Sequence, residues 1–380
     1  MSATILLAGG GTGGHVFPMI AVADALRRLE PTLALVFVGT ERGIETRVVP
    51  ERGYPLELMR VLPIRGGGVG GALRGVSRAL GAVPEARALL RRHAPGAVFS
   101  IGGYAAGPIA LAARTLGVPL ALMEPNAVIG LANRLTAPIV TRAYTAFPEP
   151  ERHFAERKVL RSGVPIRDGF DARPYSRSGG PLRVLVLGGS QGAQALNEAV
   201  PGALAHLRTE LAITHQAGPA HGDAVRARYR GRAEVVSFIE DMPAALAAAD
   251  LVVGRSGASA VAEICAVGRP SVLVPYPFAA GDHQRKNAES LAAAGAAVCV
   301  PASEATPARL ASEIDRLAET PGALEAMATA AERVGRPQAA LAVARDLLAL
   351  AGLELGAPRA AAASEPESRD GGPLASEGAS

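Results

Sequence analysis

The sequence predicts an α/β protein built from two Rossmann-like domains that face a cleft, each with a parallel sheet covered by helices. Three observations support this fold class. Short apolar runs alternate with longer stretches of helical period. A strand, a glycine-rich turn and a helix through about 29 are predicted from Thr4, and the same order is predicted again from Arg183, with a helix through about 207. The chain has 380 residues, 49% of them hydrophobic, which is enough for two cores.

The predicted strands fall into two groups separated by a linker. Those of the first group are 4–8, 33–38, 97–101, 120–123 and 142–145, and those of the second are 183–187, 212–216, 234–237, 251–253, 271–274 and 297–300. Proline, serine and glycine are frequent in 163–180, which is typical of a linker. We therefore expect a first domain over 1–163, a second over 164–337, a helix over 338–354 and a disordered tail over 355–380.

Composition excludes several classes of protein. The net charge of +4 is too small to indicate DNA binding, and aromatic residues make up only 4%, with no Trp, so base stacking on single-stranded nucleic acid is not expected. Two cysteines, Cys265 and Cys299, do not form a disulfide framework, which favours a reducing compartment. The amino terminus is typical of a strand and not of a signal peptide, and no uncharged run is long enough to span a membrane.

The first glycine-rich turn, Gly9-Gly-Gly-Thr-Gly-Gly-His15, matches the dinucleotide-binding pattern at Gly9, Gly11 and Gly14. A nicotinamide site, a tight structural turn and a site for another phosphate ligand all fit this pattern. The acidic residue that would complete a dinucleotide site, Glu41, lies further along the chain than usual. His15, at the start of the helix, suits proton transfer or substrate contact, although a capping or merely exposed histidine is an equal alternative.

The second glycine-rich turn contains Gly188-x-Ser190-x-Gly192, which also matches the nucleophile elbow of a serine hydrolase. Asp250 and His283 follow in the order that such a triad requires. A hydrolase does not explain the separate glycine-turn domain that precedes this one. We therefore favour phosphate binding by Ser190 and the neighbouring N–H groups.

Two further segments follow predicted strands of the second domain. Arg255-Ser-Gly-Ala-Ser-Ala-Val-Ala-Glu263 opens a helix, so its N–H groups suit an anion and Glu263 can accept hydrogen bonds from ribose hydroxyls. A surface glutamate on a capped helix is the alternative. Asp282-His-Gln-Arg-Lys-Asn287 lies where open sheets bind ligands, and its amides and carboxylate suit sugar hydroxyls, although a solvated loop would also be polar.

No metal site is predicted. Asp-x-Asp, which often holds a divalent cation on a sugar-nucleotide diphosphate, is absent, and no Cys/His set has zinc spacing. Helix ends and arginines would then stabilise a departing diphosphate.

The segment 65–92 is glycine-rich and then helical, with apolar Leu73, Val76, Leu80 and Val83 on one face. The arginines around this face are Arg74, Arg78, Arg87, Arg91 and Arg92. It fits either an anionic membrane surface or a solvated helix.

Taken together and in this order, the motifs resemble the lipid I N-acetylglucosaminyltransferase family of peptidoglycan synthesis, whose fold is GT-B. The segments that carry the resemblance are the first glycine-rich turn, 100–104, Asn126 with Gly130, 133–134, 163–167, 188–193, 238–242, 255–263, 282–284 and Asn287. Other readings of the residues alone are an NAD-dependent dehydrogenase, a serine hydrolase and a non-catalytic nucleotide-binding module.

The resemblance implies a hexosyltransferase that needs no cofactor. The donor would be UDP-N-acetylglucosamine and the acceptor lipid I, undecaprenyl-diphospho-N-acetylmuramoyl-pentapeptide. Inverting transfer to the acceptor 4-hydroxyl would give lipid II and UDP. It also implies a peripheral enzyme on the cytoplasmic face of the inner membrane, held by an anionic surface and working with other cell-wall synthesis proteins in cell shape and cell division.

The resemblance also implies roles for individual residues. His15 would be the catalytic base. The substrate-binding residues would be Thr12, Gly13 and Gly14 in the first-domain loop, Asn126, Arg167 and Ser190 at the donor, Ile239 at the uracil, Ala258, Ser259, Ala260, Val261, Ala262 and Glu263 at the diphosphate and ribose, and Gln284 at the sugar. Two positions depart from the family pattern, because Pro125 stands in place of a glutamine and Ala260 in place of a threonine.

Overall fold

A computed structural model describes residues 3–61, 80–177 and 179–353 of the chain. Two sheets are present in these residues, one of seven strands and one of six. Every pair of neighbouring strands is parallel. The predicted α/β fold with two Rossmann-like domains is therefore confirmed, and it is a GT-B fold.

The first sheet has the order β3-β2-β1-β4-β5-β6-β7. Its strands are β1 (Thr4–Gly9), β2 (Ala34–Thr40), β3 (Leu56–Met59), β4 (Ala97–Gly102), β5 (Leu120–Glu124), β6 (Arg142–Thr145) and β7 (Val159–Arg161). The helices between them are α1 (Gly13–Leu29), α2 (Glu45–Glu51), α3 (Val83–His93), α4 (Ala106–Leu116) and α5 (Leu131–Thr136). The central strands are apolar and buried because helices cover both faces of a parallel sheet.

The second sheet has the order β10-β9-β8-β11-β12-β13. Its strands are β8 (Leu182–Leu187), β9 (Leu211–Gln216), β10 (Glu234–Val236), β11 (Leu251–Gly254), β12 (Ser271–Leu273) and β13 (Val298–Cys299). The helices are α6 (Gln194–Ala203), α7 (Gly222–Tyr229), α8 (Met242–Ala248), α9 (Ala258–Val267), α10 (His283–Ala293), α11 (Pro307–Glu319) and α12 (Ala323–Val334). In both sheets the strand order reverses beside the first strand, and such a point is where doubly wound sheets bind ligands.

The last described helix, α13 (Ala339–Leu350), returns to the first sheet and packs against α1. Its Val343 and Leu347 belong to the first-domain core. Asp346 accepts hydrogen bonds from Arg142 Nε at 2.9 Å and from the Tyr144 hydroxyl at 2.7 Å. The end of the second domain is thereby held to the first.

Some elements differ from those predicted. Strands β3 and β7 are not predicted because each is a largely half-buried run in which a charged residue, Glu57 or Arg161, weakens the apolar pattern. The helix predicted through 207 ends at Ala203, directly after Pro201 and Gly202, which are poor helix formers.

Of the basic segment, Leu73, Arg74, Val76 and Arg78 lie outside the described residues. In the part that the structure describes, no helix is long and apolar enough to cross a membrane.

Candidate active site

The first glycine-rich turn joins β1 to α1 at the carboxyl edge of the first sheet. Gly10 and Gly11 have φ of +146° and +92°, a backbone conformation that side chains disfavour. The carbonyl of Thr12 accepts from the N–H groups of His15 and Val16, both at 3.1 Å. The turn therefore leaves the first N–H groups of α1, including those of Gly13 and Gly14, free for a ligand in the cleft.

His15 is half-buried in the first turn of α1, with Nδ1 3.1 Å from the carbonyl oxygen of Gly10. Because a carbonyl only accepts, Nδ1 carries the proton and Nε2 is the basic nitrogen. Burial lowers the pKa of His15, and the second-domain His283 lowers it too, while the Gly10 carbonyl and Glu45 act in the opposite direction. The imidazole is therefore neutral at pH 7 and able to accept a proton.

The second glycine-rich turn follows β8 and exposes Ser190. Behind it lies the buried amide of Gln216, whose Nε2 donates to the Gly189 carbonyl at 2.9 Å. The Oε1 of Gln216 accepts from the N–H of Ile239 at 3.0 Å. One side chain thus fixes both the Ser190 turn and the segment that holds Ile239.

The segment between β11 and α9 presents a helix amino terminus. Ala258, Ser259 and Ala260 are the first residues of α9, whereas the N–H of Val261 already donates to the Gly257 carbonyl at 3.0 Å. The hydroxyl of Ser259 is buried and has no hydrogen-bond partner among the described residues. Arg255 does not point to this turn, because its Nη1 donates to the carbonyls of Val274 and Pro275 at 3.0 and 2.9 Å.

Glu263 lies two turns into α9 and is half-buried, without a hydrogen bond to any residue in the described ranges. Burial raises its pKa to about 7, and the positive charge of Arg167 opposes this rise. Arg167 itself is exposed, with its guanidinium 5.4 Å from the centroid of the Phe170 ring. A buried carboxyl group without partners is suited to accepting ligand hydroxyls.

Gln284 lies in the first turn of α10, on the same rim. Its Oε1 accepts from the N–H of Tyr276 at 3.0 Å, and its backbone carbonyl accepts from the Ser256 hydroxyl at 2.8 Å. These bonds orient the amide Nε2 as a donor.

Among the remaining predicted residues, Ala258 packs with the first-domain core, Ala262 lies partly buried beside it, and Val261 is buried in the second-domain core.

The two domains meet at Asn287, which is fully buried on α10. Its Oδ1 accepts from the N–H of Ala127 at 2.8 Å, and its Nδ2 donates to Asn126 Oδ1 at 3.1 Å and to the Ser256 carbonyl at 3.0 Å. Asn126 is held in turn by Glu124, which accepts from its N–H at 3.1 Å. The predicted donor residue Asn126 thus lies where the first domain contacts the second.

The serine hydrolase alternative does not fit this geometry. Asp250 lies before β11, at the amino edge of the sheet, while Ser190 and His283 follow the carboxyl ends of β8 and β12. Asp250 also binds Arg183, which donates to it from its backbone N–H at 2.9 Å and from Nη2 at 2.6 Å.

Across the described ranges, no cluster of three His, Cys, Asp or Glu residues could hold a metal ion.

Three buried polar residues near the site are not found by the sequence motifs: Glu45, Glu124 and Gln216. Each one bonds to the backbone of a loop that carries a predicted site residue. A signal for Glu45 exists, because it follows Gly39 and Gly43 at the end of the second strand. Only the tertiary structure shows which loops the other two fix.

Comparisons with known proteins agree with this geometry. Residues 5–145 match the glycosyltransferase family 28 N-terminal domain, and residues 183–343 match the glycosyltransferase family 28 C-terminal domain. The UDP-N-acetylglucosamine–N-acetylmuramyl-(pentapeptide) pyrophosphoryl-undecaprenol N-acetylglucosamine transferase of Sorangium cellulosum is 55% identical over 358 residues, 92% of this chain and 88% of that protein. The protein of the same name from Anaeromyxobacter dehalogenans strain 2CP-1 is 46% identical over 93% of this chain and 94% of its own length.

Solved structures give the same result. The crystal structure of MurG from Acinetobacter baumannii superimposes with a TM-score of 0.78 at 33% identity and covers 91% of this chain and 99% of that one. The glycosyltransferase of kitacinnamycin, at 17% identity and a TM-score of 0.70, shares the fold. Because relatives of 55% and 46% identity span nearly its whole length, the chain belongs to the MurG family of N-acetylglucosamine transferases, within glycosyltransferase family 28.

Proposed function

We propose that this protein transfers N-acetylglucosamine from UDP-N-acetylglucosamine to the 4-hydroxyl of lipid I, giving lipid II and UDP. The observation that carries the proposal is the 55% identity, over 92% of the chain, to an enzyme named for this reaction. The chemistry of the cleft supports it. One domain carries a neutral histidine, and the other carries a helix amino terminus and a carboxyl group that has no hydrogen-bond partner among the described residues.

The second domain binds the donor in this proposal. The diphosphate lies at the start of α9, where the N–H groups of Ala258, Ser259 and Ala260 precede the first helical backbone bond and the helix dipole favours negative charge. Glu263 accepts the ribose hydroxyls, and the uracil lies against Ile239. Ser190 and Arg167 contact the diphosphate, while Asn126 and Gln284 contact the sugar.

The first domain binds the acceptor through the turn that contains Thr12, Gly13 and Gly14. The acceptor oxygen forms its bond to the anomeric carbon while the bond from that carbon to the UDP oxygen breaks, so the configuration inverts. The proton of the attacking hydroxyl passes to Nε2 of His15, and the bonding electrons leave with UDP. The helix amino terminus stabilises the negative charge that develops on the diphosphate.

The acceptor also requires contact with a membrane, because a polyprenyl chain is held in the bilayer. A groove of about 630 Å³ lies between α3 and α4 of the first domain. It is lined by Leu80, Val83, Pro84, Leu111 and Thr115, with Arg87 and Arg91 beside them. This apolar floor with basic residues supports peripheral binding to the anionic cytoplasmic face of the inner membrane, where other cell-wall synthesis proteins act.

Turnover of UDP-N-acetylglucosamine with a short-chain lipid I analogue tests the function. We expect UDP release and formation of the disaccharide product, at a rate that EDTA does not lower. His15→Ala should reduce kcat by roughly 10²- to 10⁴-fold, the usual contribution of a general base. Failure of the purified protein to form product would contradict the proposal, and restoration of an EDTA-abolished rate by magnesium would show that a metal takes part.

A further inference from the structure

A buried carboxyl group, Glu45, lies directly behind the first glycine-rich turn. It stands at the start of α2 and is 1% exposed. Its Oε2 accepts from the N–H of Gly11 at 2.8 Å. Its Oε1 accepts from the N–H of Thr40 at 3.0 Å and from the Thr40 hydroxyl at 3.1 Å. Both oxygens therefore act only as acceptors, as in a carboxylate.

The glycines around this side chain leave the space that it fills. A Cβ atom added to Gly10, Gly39 or Gly43 would overlap with atoms of the Glu45 side chain. These glycines come from three places: the β1–α1 turn, the end of β2 and the loop before α2. Three separate backbone segments thus converge on one carboxylate, which is more than a capping role for a short helix requires.

The peptide unit between Gly10 and Gly11 connects this carboxylate to His15. Its N–H, on Gly11, donates to Glu45, and its C=O, on Gly10, accepts from Nδ1 of His15 at 3.1 Å. A carboxylate that binds the N–H of a peptide polarises it and makes its carbonyl oxygen a stronger acceptor. The other titratable group that acts on His15 among the described residues is His283, on α10 across the cleft.

We propose that Glu45 is a positioning residue for the transfer reaction, acting on His15 through the Gly10–Gly11 peptide. The polarised carbonyl holds the imidazole with its proton on Nδ1 and leaves Nε2 free to face the acceptor hydroxyl. The proposal rests on the proposed role of His15 as the base. It goes beyond that role because it identifies what sets the tautomer and orientation of the ring.

Glu45→Gln tests the role with little change of shape. A glutamine has one acceptor oxygen for the two backbone donors, Gly11 and Thr40, so one bond must be lost. We expect kcat to fall about 10- to 100-fold, as for other hydrogen-bonding partners that orient a functional histidine, while the Kd of UDP is unchanged. Loss of the nearby negative charge lowers the pKa of His15 further, so the acid limb of the kcat–pH profile should move to lower pH.

Nitrogen-15 NMR of labelled histidine gives a readout that does not depend on catalysis. In the unmodified protein we expect the His15 ring as the Nδ1–H tautomer, and in Glu45→Gln a mixture of both tautomers. Asp24→Asn is the matched control. It removes a half-buried carboxylate from α1, the helix that carries His15. Asp24 accepts from the Tyr54 hydroxyl at 2.6 Å and does not bond to the Gly10–Gly11 peptide. The control should leave the tautomer and the acid limb unchanged.

The outcomes separate this proposal from the proposed function. An Nε2–H tautomer of His15 in the unmodified protein overturns the proposal. This measurement needs no variant, so it can be made even if Glu45→Gln does not fold. A fall in kcat with the tautomer and the acid limb unchanged would make Glu45 merely structural and also overturns it. Full turnover of His15→Gln would instead refute His15 as the base, whatever the NMR experiment shows.

Discussion

At the scale of single residues, Glu263 has an unusual position, because it is half-buried without a hydrogen-bond partner in the described ranges. In the proposed complex the ribose hydroxyls become its partners. Glu263→Gln should then weaken UDP binding about 10- to 100-fold, the effect of losing a charge-assisted hydrogen bond of about 1.5–3 kcal/mol. Isothermal titration calorimetry with UDP measures this directly, and an unchanged Kd would remove Glu263 from the donor site.

The pH dependence gives a second measurement on the same residue. The binding form is the carboxylate, and burial raises the pKa of Glu263 to about 7 in the free protein. Between pH 8 and pH 5.5, the ratio of the UDP affinity of the unmodified protein to that of Glu263→Gln should therefore fall as pH is lowered through 7. Protonation of the UDP phosphates changes the affinity of both proteins in the same way, so it does not affect this ratio. A constant ratio across this range would contradict the assignment.

Thermal stability serves as the control for folding. A group whose pKa is raised in the folded state destabilises that state as pH rises from its ordinary value of 4.5 through about 7. Replacing Glu263 by glutamine removes this cost. The Tm of Glu263→Gln at pH 8 should therefore be equal to or higher than that of the unmodified protein. At pH 4 the two proteins should have the same Tm.

The sequence identifies residues that lie in short motifs more readily than the residues that hold them. Ser190 lies in a glycine-rich turn and Glu263 in the helix that follows Gly257, and the glycines and their position after a strand are visible in the chain. Glu45 and Gln216 act through hydrogen bonds to residues 34 and 27 positions away in the sequence. Gly39 and Gly43 draw attention to Glu45, but the loops that Glu45 and Gln216 bind are determined by how the sheets bring distant segments together.

At the scale of secondary-structure elements, Gln216 at the end of β9 connects two loops of the proposed donor site. Gln216→Ala should loosen both the Ser190 turn and the Ile239 segment, and we expect a UDP affinity about tenfold lower, equivalent to about 1.4 kcal/mol for the loss of two neutral hydrogen bonds. Fluorescence or calorimetric titration of the folded variant checks this.

The matched control for this prediction is Asn197→Ala. Asn197 is also buried in the second domain. Its side chain bonds to the Ala217 carbonyl at 3.0 Å and to His215 Nε2 at 3.0 Å, and to neither the Ser190 turn nor the Ile239 segment. It should lower Tm and leave the UDP affinity of the folded protein intact. If both variants weaken UDP binding equally, the effect of Gln216 is one of general stability.

Elements were predicted best where burial on both faces makes the apolar pattern strong. The central strands β1, β4, β8 and β11 were found within one or two residues of their ends because helices cover them on both sides. Strands β3 and β7, whose short apolar runs contain Glu57 and Arg161, are not predicted. The length of α6 was overpredicted because helical periodicity outlasts the Pro201–Gly202 interruption.

At the scale of the whole molecule, Asn287 joins the two domains through Ala127 and Asn126. Asn287→Ala removes both interdomain bonds, so the domains should separate more readily. We expect a larger radius of gyration in small-angle X-ray scattering and a lower kcat, because the proposed base His15 and the proposed donor site lie on opposite domains. Asn197→Ala, whose bonds stay within one domain, should show neither change. An unaltered scattering profile together with full activity would refute the coupling of the domains by Asn287.

In the proposed function, the groove between α3 and α4 is the part of the molecule that faces the membrane. Leu80 is 55% exposed at its rim, and Arg87 and Arg91 flank it. Each arginine near an anionic surface contributes roughly 1 kcal/mol, and exposed apolar side chains add insertion energy. Salt screens the electrostatic part over about 8–10 Å. Binding to anionic vesicles should therefore weaken as salt rises, and binding to neutral vesicles should be weak at any salt concentration.

Replacing Arg87 and Arg91 together by glutamate tests this orientation. In a sedimentation assay with vesicles that contain phosphatidylglycerol, the double variant should bind at least tenfold more weakly, because two favourable contributions of roughly 1 kcal/mol become unfavourable. Its affinity for UDP should not change, since the proposed UDP site lies on the other domain. The same charge change at Arg228 and Arg333, which are exposed on the second domain, is the control and should have little effect. Equal loss of vesicle binding in both double variants would show that net charge, and not this groove, directs the protein to the membrane.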